Sequence, residues 1–122
     1  MLFSDNEHWL VINDHYGSNA SRLLLYQQRG PLDYTQVADL TGAAWEYFAR
    51  RNGIKDTGFD HAYVDALRWA NDDPPTLLLR LDGHLDSHHN TGEWYCLYNI
   101  QSKTFSTDFD AHNKKNTTFD DR

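Results

Sequence analysis

Apolar side chains alternate with polar ones through much of the C-terminal half of the chain. In residues 76–82 the alternation places three leucines on one face of an extended segment. Residues 93–100 carry apolar side chains on both faces, which predicts a central strand. A third alternating stretch covers residues 103–109. Because a period of two does not build a helical face, these segments predict an antiparallel sheet in this half.

Two stretches before these strands have the period of an amphipathic helix. Residues 34–52 follow Asp33, a good N-cap, and precede Gly53, which suits the position after the C-cap. Residues 61–70 follow another N-cap candidate, Asp60, and stop before two prolines. We therefore predict two helices. The predicted core face of the first consists of Tyr34, Val37, Leu40, Thr41, Ala44, Trp45, Tyr47 and Phe48.

The N-terminal quarter is less regular. Residues 8–13 read as a strand, whereas residues 22–28 fit either a second strand or a short helix, and periodicity does not separate these readings in so short an apolar run. A chain of 14.2 kDa corresponds to one domain. The predicted fold class is α+β, with two helices packed on an antiparallel sheet of about four to five strands. We expect this domain to cover residues 1–110 and a polar, mobile tail to cover residues 111–122.

The charge of the chain excludes several classes of partner. The net charge is −7, and the basic residues form no stripe that could neutralise phosphates. We therefore expect neither nucleic acid nor an anionic membrane as a partner. The single cysteine, Cys96, forms no internal disulfide, no apolar run is long enough for a membrane span, and the first residues do not resemble a secretory signal. These features predict a cytoplasmic protein.

Metal chemistry has one candidate segment. His84, Asp86 and His88 alternate, so an extended segment would direct them to the same side, and imidazole and carboxylate are common ligands of divalent transition metals. One alternative function is therefore a small metal-binding enzyme that uses residues 84–89. A structural zinc site needs four ligands, whereas this loop offers three at best, so we predict no metal and no cofactor.

Catalytic groups are otherwise incomplete. His61 and Asp65 are four residues apart and would touch on a helix, which is half of a general-base arrangement. The sequence holds no serine in a nucleophile elbow, no phosphate-binding glycine loop and no paired cysteines. Cys96 lies inside an apolar strand, where burial makes a thiol inert. We therefore predict that the chain is not an enzyme.

Acidic and aromatic residues point to recognition of a protein. The chain contains four tryptophans, seven tyrosines and six phenylalanines. Trp69 is at the edge of the apolar side of its predicted helix, and an aromatic ring bordered by carboxylates is a good receptor for arginine. We predict a basic protein partner. Its expected contact residues are Asp65, Trp69, Asp72, Asp73, Asp86 and Glu93.

The apolar strand at residues 94–100 and the following Lys103, Thr104 and Phe105 are typical of small binding proteins. With its size, acidity and order of elements, the chain resembles the cytosolic immunity proteins of bacterial toxin–immunity pairs and small phage-encoded inhibitors. The resemblance is one of class. It implies that the chain binds a basic toxin or effector, such as a nuclease, and blocks it by shape and charge. A further alternative is an accessory protein of a phage or a secretion system.

Overall fold

The fold is described from a computed structural model of the chain. The structure describes residues 1–16, 20–53, 60–86, 89–90, 93–107, 109, 113 and 118–119. Within these residues the strands, in chain order, are β1 (Leu2–Phe3), β2 (Trp9–Tyr16), β3 (Ala20–Gly30), β4 (Asp33–Asp39), β5 (Asp60–Asp72), β6 (Pro75–Asp86), β7 (His89–Asn90), β8 (Trp94–Asn99), β9 (Thr104–Ser106) and β10 (Thr118–Phe119). The helix α1 (Thr41–Asn52) lies between β4 and β5.

The strands form two four-stranded antiparallel sheets. The first sheet has the order β1-β2-β3-β4, and the second has the order β5-β6-β8-β9. The two-residue strands β7 and β10 extend the second sheet beside the end of β6. One parallel pair, Ala20 with Ala62, joins the start of β3 to the start of β5 and links the two sheets.

A single core lies between the inner faces of both sheets and one face of α1. Alternate residues of β3, β6 and β8 point into it, in agreement with the period of two in a strand. The helix contributes Ala44, Trp45 and Phe48, and the Phe48 ring meets the Trp94 ring edge-on with centroids 4.9 Å apart. This aromatic contact fixes α1 on the second sheet.

Side chains complete the hydrogen bonding where the two sheets meet. The Asn13 carboxamide accepts from the backbone N–H of Ala66 at 2.8 Å and donates to its carbonyl at 2.9 Å. The buried hydroxyl of Ser21 bonds in the same way to the backbone N–H and C=O of Val64. These two polar side chains therefore continue the hydrogen bonding to β5 beyond the single backbone pair of Ala20 with Ala62.

The prediction of two helices on a single sheet is wrong. Residues 34–39 belong to β4, which pairs with β3 through a tight turn at Pro31 and Leu32. Residues 61–70 belong to β5, which pairs with β6 through the turn at Asp73. In both stretches the spacing of apolar residues is compatible with a helix and with a strand. Hydrogen bonding to a neighbouring strand, β3 for the first stretch and β6 for the second, favours the strand.

Other sequence predictions are confirmed. Residues 9–13 of the predicted first strand and residues 76–82 lie within strands, and β8 is internal because it pairs with both β6 and β9. Residues 22–28, for which two readings were open, belong to β3. The C-terminal part of the first predicted helix is α1, and Gly53 follows it with a φ of 68°, a left-handed conformation that favours glycine.

Only parts of the predicted tail lie within the described residues. Asn113 is buried, and its side chain bonds to both the N–H and the C=O of Tyr95 at 2.8 Å. The strand β10 pairs with β7. The domain boundary at residue 110 stays a prediction. Within the described part of the chain, no helix is long and apolar enough to cross a membrane.

Candidate functional site

The outer face of the second sheet, opposite the core, gathers acidic and aromatic side chains. Tyr63 of β5 lies opposite Asp82 of β6. In the next row that faces outward, Arg80 of β6 lies between Asp65 of β5 and Tyr95 of β8. Residues on one face of neighbouring strands lie about 5 Å apart, so these side chains form one surface. We call this surface the acidic tyrosine face. It consists of Tyr63, Asp65, Arg80, Asp82, Glu93 and Tyr95.

Asp65 is the anchor of this face. One carboxylate oxygen lies 2.6 Å from Nε2 of His15, and the other lies 3.6 Å from the guanidinium of Arg80. Its side chain is only 12% exposed, whereas that of His15 is 51% exposed. The His15 ring also stacks on Tyr63, with centroids 5.6 Å apart. A buried carboxylate therefore contacts one side chain from β2 and one from β6, and Tyr63 packs on the first of them.

Tyr95 and Glu93 form the other side of the face. The phenol of Tyr95 donates to Oε2 of Glu93 at 3.2 Å, and its ring contacts Phe109 with centroids 5.9 Å apart. Burial and the neighbouring Glu93 carboxylate raise the pKa of the Tyr95 phenol, while Arg80 lowers it to a smaller extent. The phenol therefore stays protonated at neutral pH and acts as a hydrogen-bond donor.

The pair of His15 and Asp65 has the geometry of an oriented general base, but no nucleophile accompanies it among the described residues. Ser21 lies opposite His15 across the β2–β3 ladder. Its hydroxyl is buried and bonded to the backbone of Val64, so it does not face the imidazole as an attacking group. Ser21 is therefore not placed to act as the nucleophile of this pair.

The imidazole that contacts Asp65 is not the one that the sequence suggested. Because residues 60–72 form a strand, His61 and Asp65 are about 13 Å apart along it. His15 reaches Asp65 from β2, at a separation of 50 residues. The expected pairing of His61 with Asp65 on a helix is therefore wrong.

The structure places two of the predicted contact residues on the acidic tyrosine face, namely Asp65 and Glu93. Glu93 is exposed, whereas Asp65 is buried beneath its partners. Trp69 does not belong to this face: it packs against the core cluster, and its indole N–H donates to the carbonyl of Leu2 at 3.3 Å. Trp69 therefore contributes to the packing of β1 on β5.

The remaining predicted contact residues lie at opposite ends of the second sheet. Asp72 is the last residue of β5 and pairs with Pro75, and Asp73 lies in the turn that follows. Asp86 is the last residue of β6 and pairs with His89. The 12 residues of β6 separate these ends by about 36 Å, so the six predicted residues do not form one patch.

The metal candidates lie at the far end of β6. His84 pairs with Asn90 and Asp86 pairs with His89, with a register shift between the two pairs. His88 lies outside the described residues. Within the described ranges, no three His, Cys, Asp or Glu side chains are grouped as a metal site. The absence of bound metal stays a prediction.

Cys96 is fully buried in β8, as the sequence indicated. Burial raises the pKa of its thiol to about 12. The nucleophilic thiolate is therefore not formed at neutral pH.

Five residues of the site were missed in the sequence: His15, Tyr63, Arg80, Asp82 and Tyr95. Apart from the contact of Tyr95 with Glu93, their contacts cross between strands, so they depend on register. Predicting a hairpin over residues 60–86 would have placed β5 beside β6, with Asp65 opposite Asp82. Two register shifts, near Leu67 and Ala70, instead place Asp65 opposite Arg80. Bulges of this kind leave no clear sequence signal.

Comparison of the chain with models of protein families, with curated proteins and with solved structures finds no match.

Proposed function

We propose that the chain is a small acidic binding protein that neutralises a basic protein partner by steric and electrostatic occlusion. The acidic tyrosine face is its contact surface. The observation that carries the proposal is the grouping of Tyr63 and Tyr95 with Asp82 and Glu93 on one exposed side of the second sheet. The expected partner is a toxin or effector with a basic surface, such as a nuclease.

The chemistry of the face suits arginine and lysine side chains. A guanidinium can stack on a tyrosine ring and pair with a neighbouring carboxylate, and tyrosine is enriched among the residues that contribute most to binding. The face carries three carboxylates and one guanidinium, and the chain as a whole has a charge of −7. Both the local and the overall charge therefore favour a cationic partner.

The face is also held in place before binding. Asp65 contacts Arg80 and His15, and Glu93 accepts a hydrogen bond from Tyr95. The Asn113 carboxamide accepts a hydrogen bond from the backbone N–H of Tyr95. Side chains that are already ordered lose less conformational entropy when a partner binds. This pre-ordering supports a role in tight association.

We propose the cytoplasm as the compartment. Cys96 is the single cysteine of the chain and is buried as a free thiol, so this domain does not depend on an oxidising environment.

The proposal is tested by capture of the partner from the native host. The immobilised chain is expected to retain a basic protein that is released at high salt. The variant Asp82→Lys/Glu93→Lys is expected to lose this protein, because it reverses two charges of the face.

The matched control is Asp72→Lys/Asp73→Lys, which makes the same change of charge at the turn between β5 and β6. It is expected to retain the partner. Equal capture by the two double variants, or capture that does not depend on salt, would contradict the proposed contact surface.

A further inference from the structure

A cavity of about 520 Å³ lies where the end of α1 meets the turn before β9. It is on the helix side of the second sheet, whereas the acidic tyrosine face is on the opposite side. Its volume lies within the range of roughly 300–1,000 Å³ that is typical of small-molecule sites. The cavity is lined by Tyr47, Arg50, Arg51, Lys103, Thr104 and Phe105.

Two stacked aromatic rings line part of this cavity. The Tyr47 and Phe105 rings lie 5.2 Å apart between centroids, with an angle of 19° between their planes. Phe105 also contacts Tyr98, and Tyr47 also contacts Trp94, so both rings are supported from the core. Each ring remains partly exposed. The cavity therefore offers a firmly held aromatic surface to a planar group.

Three cationic side chains surround the rings, although the chain has only eleven Lys and Arg residues and a net charge of −7. Arg50 and Lys103 are exposed, and neither forms an ion pair with another described residue. Arginine near the end of a helix suits the helix dipole. Lys103, however, comes from a separate turn, so the dipole of α1 does not explain why the charges converge.

The backbone at Lys103 adds to this observation. Its φ is 56°, a left-handed conformation that costs a side-chain-bearing residue roughly 1–2 kcal/mol relative to the right-handed one. Glycine would avoid this cost. The turn instead keeps a lysine beside the cavity, with the N–H of Ser102 bonded to the Asn99 side chain at 3.1 Å.

We propose that this cavity binds a small organic phosphate that carries a planar ring. The phosphate binds to the guanidinium of Arg50 and the ammonium of Lys103, because arginine matches phosphate oxygens in a bidentate manner and lysine supplies a compact charge. The ring packs against Phe105 and Tyr47, since bases stack on aromatic side chains whatever their identity. This site is separate from the acidic tyrosine face and does not depend on the proposed function.

The proposal is tested by separate titrations with adenosine monophosphate, adenosine and inorganic phosphate. Binding is monitored through the amide chemical shifts of the chain. Adenosine monophosphate is expected to bind in a saturable manner, to shift the resonances of residues 103–105 and 47–51, and to bind more weakly as salt increases. Adenosine and inorganic phosphate are each expected to bind at least about tenfold more weakly, because each lacks one half of the contacts.

The variant Arg50→Gln/Lys103→Gln is expected to weaken binding of adenosine monophosphate by roughly tenfold or more, as removal of charge-assisted hydrogen bonds does. The control Arg29→Gln/Arg68→Gln removes two exposed charges elsewhere and is expected to change binding little. All four side chains are exposed, so both variants are expected to fold, and their spectra provide the check. Absence of saturable binding, equal affinity for adenosine, or equal weakening by the two variants would overturn the proposal.

Discussion

At the scale of single residues, polar side chains act as substitutes for backbone where strands do not pair. Asn13 bonds to Ala66, Ser21 bonds to Val64, and Asn113 bonds to Tyr95. In each case the side chain bonds to both the backbone N–H and the backbone C=O of the second residue. Buried backbone groups need such partners because an unpaired donor or acceptor is costly. These three contacts therefore hold the edges around the acidic tyrosine face.

Loss of the Ser21 hydroxyl tests this account. Ser21→Ala leaves the buried backbone groups of Val64 without the hydroxyl, so we expect the free energy of unfolding to fall by about 1–3 kcal/mol. Urea denaturation provides the measurement. Ser106→Ala at an exposed position is the control, with an expected change within about 0.5 kcal/mol. If Ser21→Ala changes stability as little as the control does, the hydroxyl is not needed at this junction.

At the scale of elements, α1 differs from the strands on either side of it in how its sequence specifies structure. Arg50, Arg51 and Gly53 mark the end of the helix, and the predicted burial of Trp45 and Phe48 is confirmed. Tyr34–Asp39 and the residues around Tyr63 follow the same helical period but are strands. The local pattern predicts the helix correctly where residues that end a helix accompany it. It fails where hydrogen bonding to a strand remote in the sequence determines the structure.

The packing of α1 is tested by truncation of its central aromatic side chain. Phe48 is fully buried and contacts the Trp45 and Trp94 rings. Phe48→Ala is therefore expected to lower the free energy of unfolding by about 3–5 kcal/mol, from lost transfer energy and a residual cavity.

Glu46→Ala, at an exposed position of the same helix, serves as the reference and is expected to change stability by less than about 0.5 kcal/mol. A loss below about 1 kcal/mol for Phe48→Ala would show that α1 does not pack on the second sheet through this ring.

The candidate site shows the same division between local and remote information. Glu93 immediately precedes β8 and Tyr95 is the second residue of that strand, so their contact follows from a spacing of two residues in extended backbone. The contact between His15 and Asp65 joins residues 50 positions apart. Acidity and aromatic content therefore predict the chemistry of the surface, whereas the register and the bulges of β5 determine which residues form it.

At the scale of the whole molecule, the fold separates two kinds of surface. Carboxylates and tyrosines lie on the outer face of the second sheet, and the cavity with Arg50 and Lys103 lies on the helix side. The β6 and β8 strands between them are buried on their inner face, with Cys96 at the centre. The stability of this shared layer therefore supports both surfaces.

The alkaline stability of this layer depends on Cys96. Burial raises the pKa of its thiol from 9.0 to about 12, so the folded state retains a proton that the unfolded chain releases above pH 9. The contribution to stability is complete below pH 9 and decreases as the pH rises toward 12, by up to about 1.4 kcal/mol for each pH unit.

Urea denaturation under reducing conditions at several values between pH 7 and pH 11 measures this effect. Cys96→Ala, which has no thiol to titrate, is expected to show a shallower decline above pH 9 from a lower starting stability. Parallel pH profiles for the two proteins would indicate that the thiol is not buried as described.

The most direct test of the proposed function is the rate of association between the chain and its captured basic partner. The Asp82→Asn/Glu93→Gln variant is compared with Asp72→Asn/Asp73→Asn over a series of salt concentrations. We expect the first variant to associate more slowly and to depend less on salt, because it removes charges from the contact surface, and the second to behave like the unmodified chain. An unchanged association rate for Asp82→Asn/Glu93→Gln, or a larger loss for Asp72→Asn/Asp73→Asn, would contradict recognition through the acidic tyrosine face.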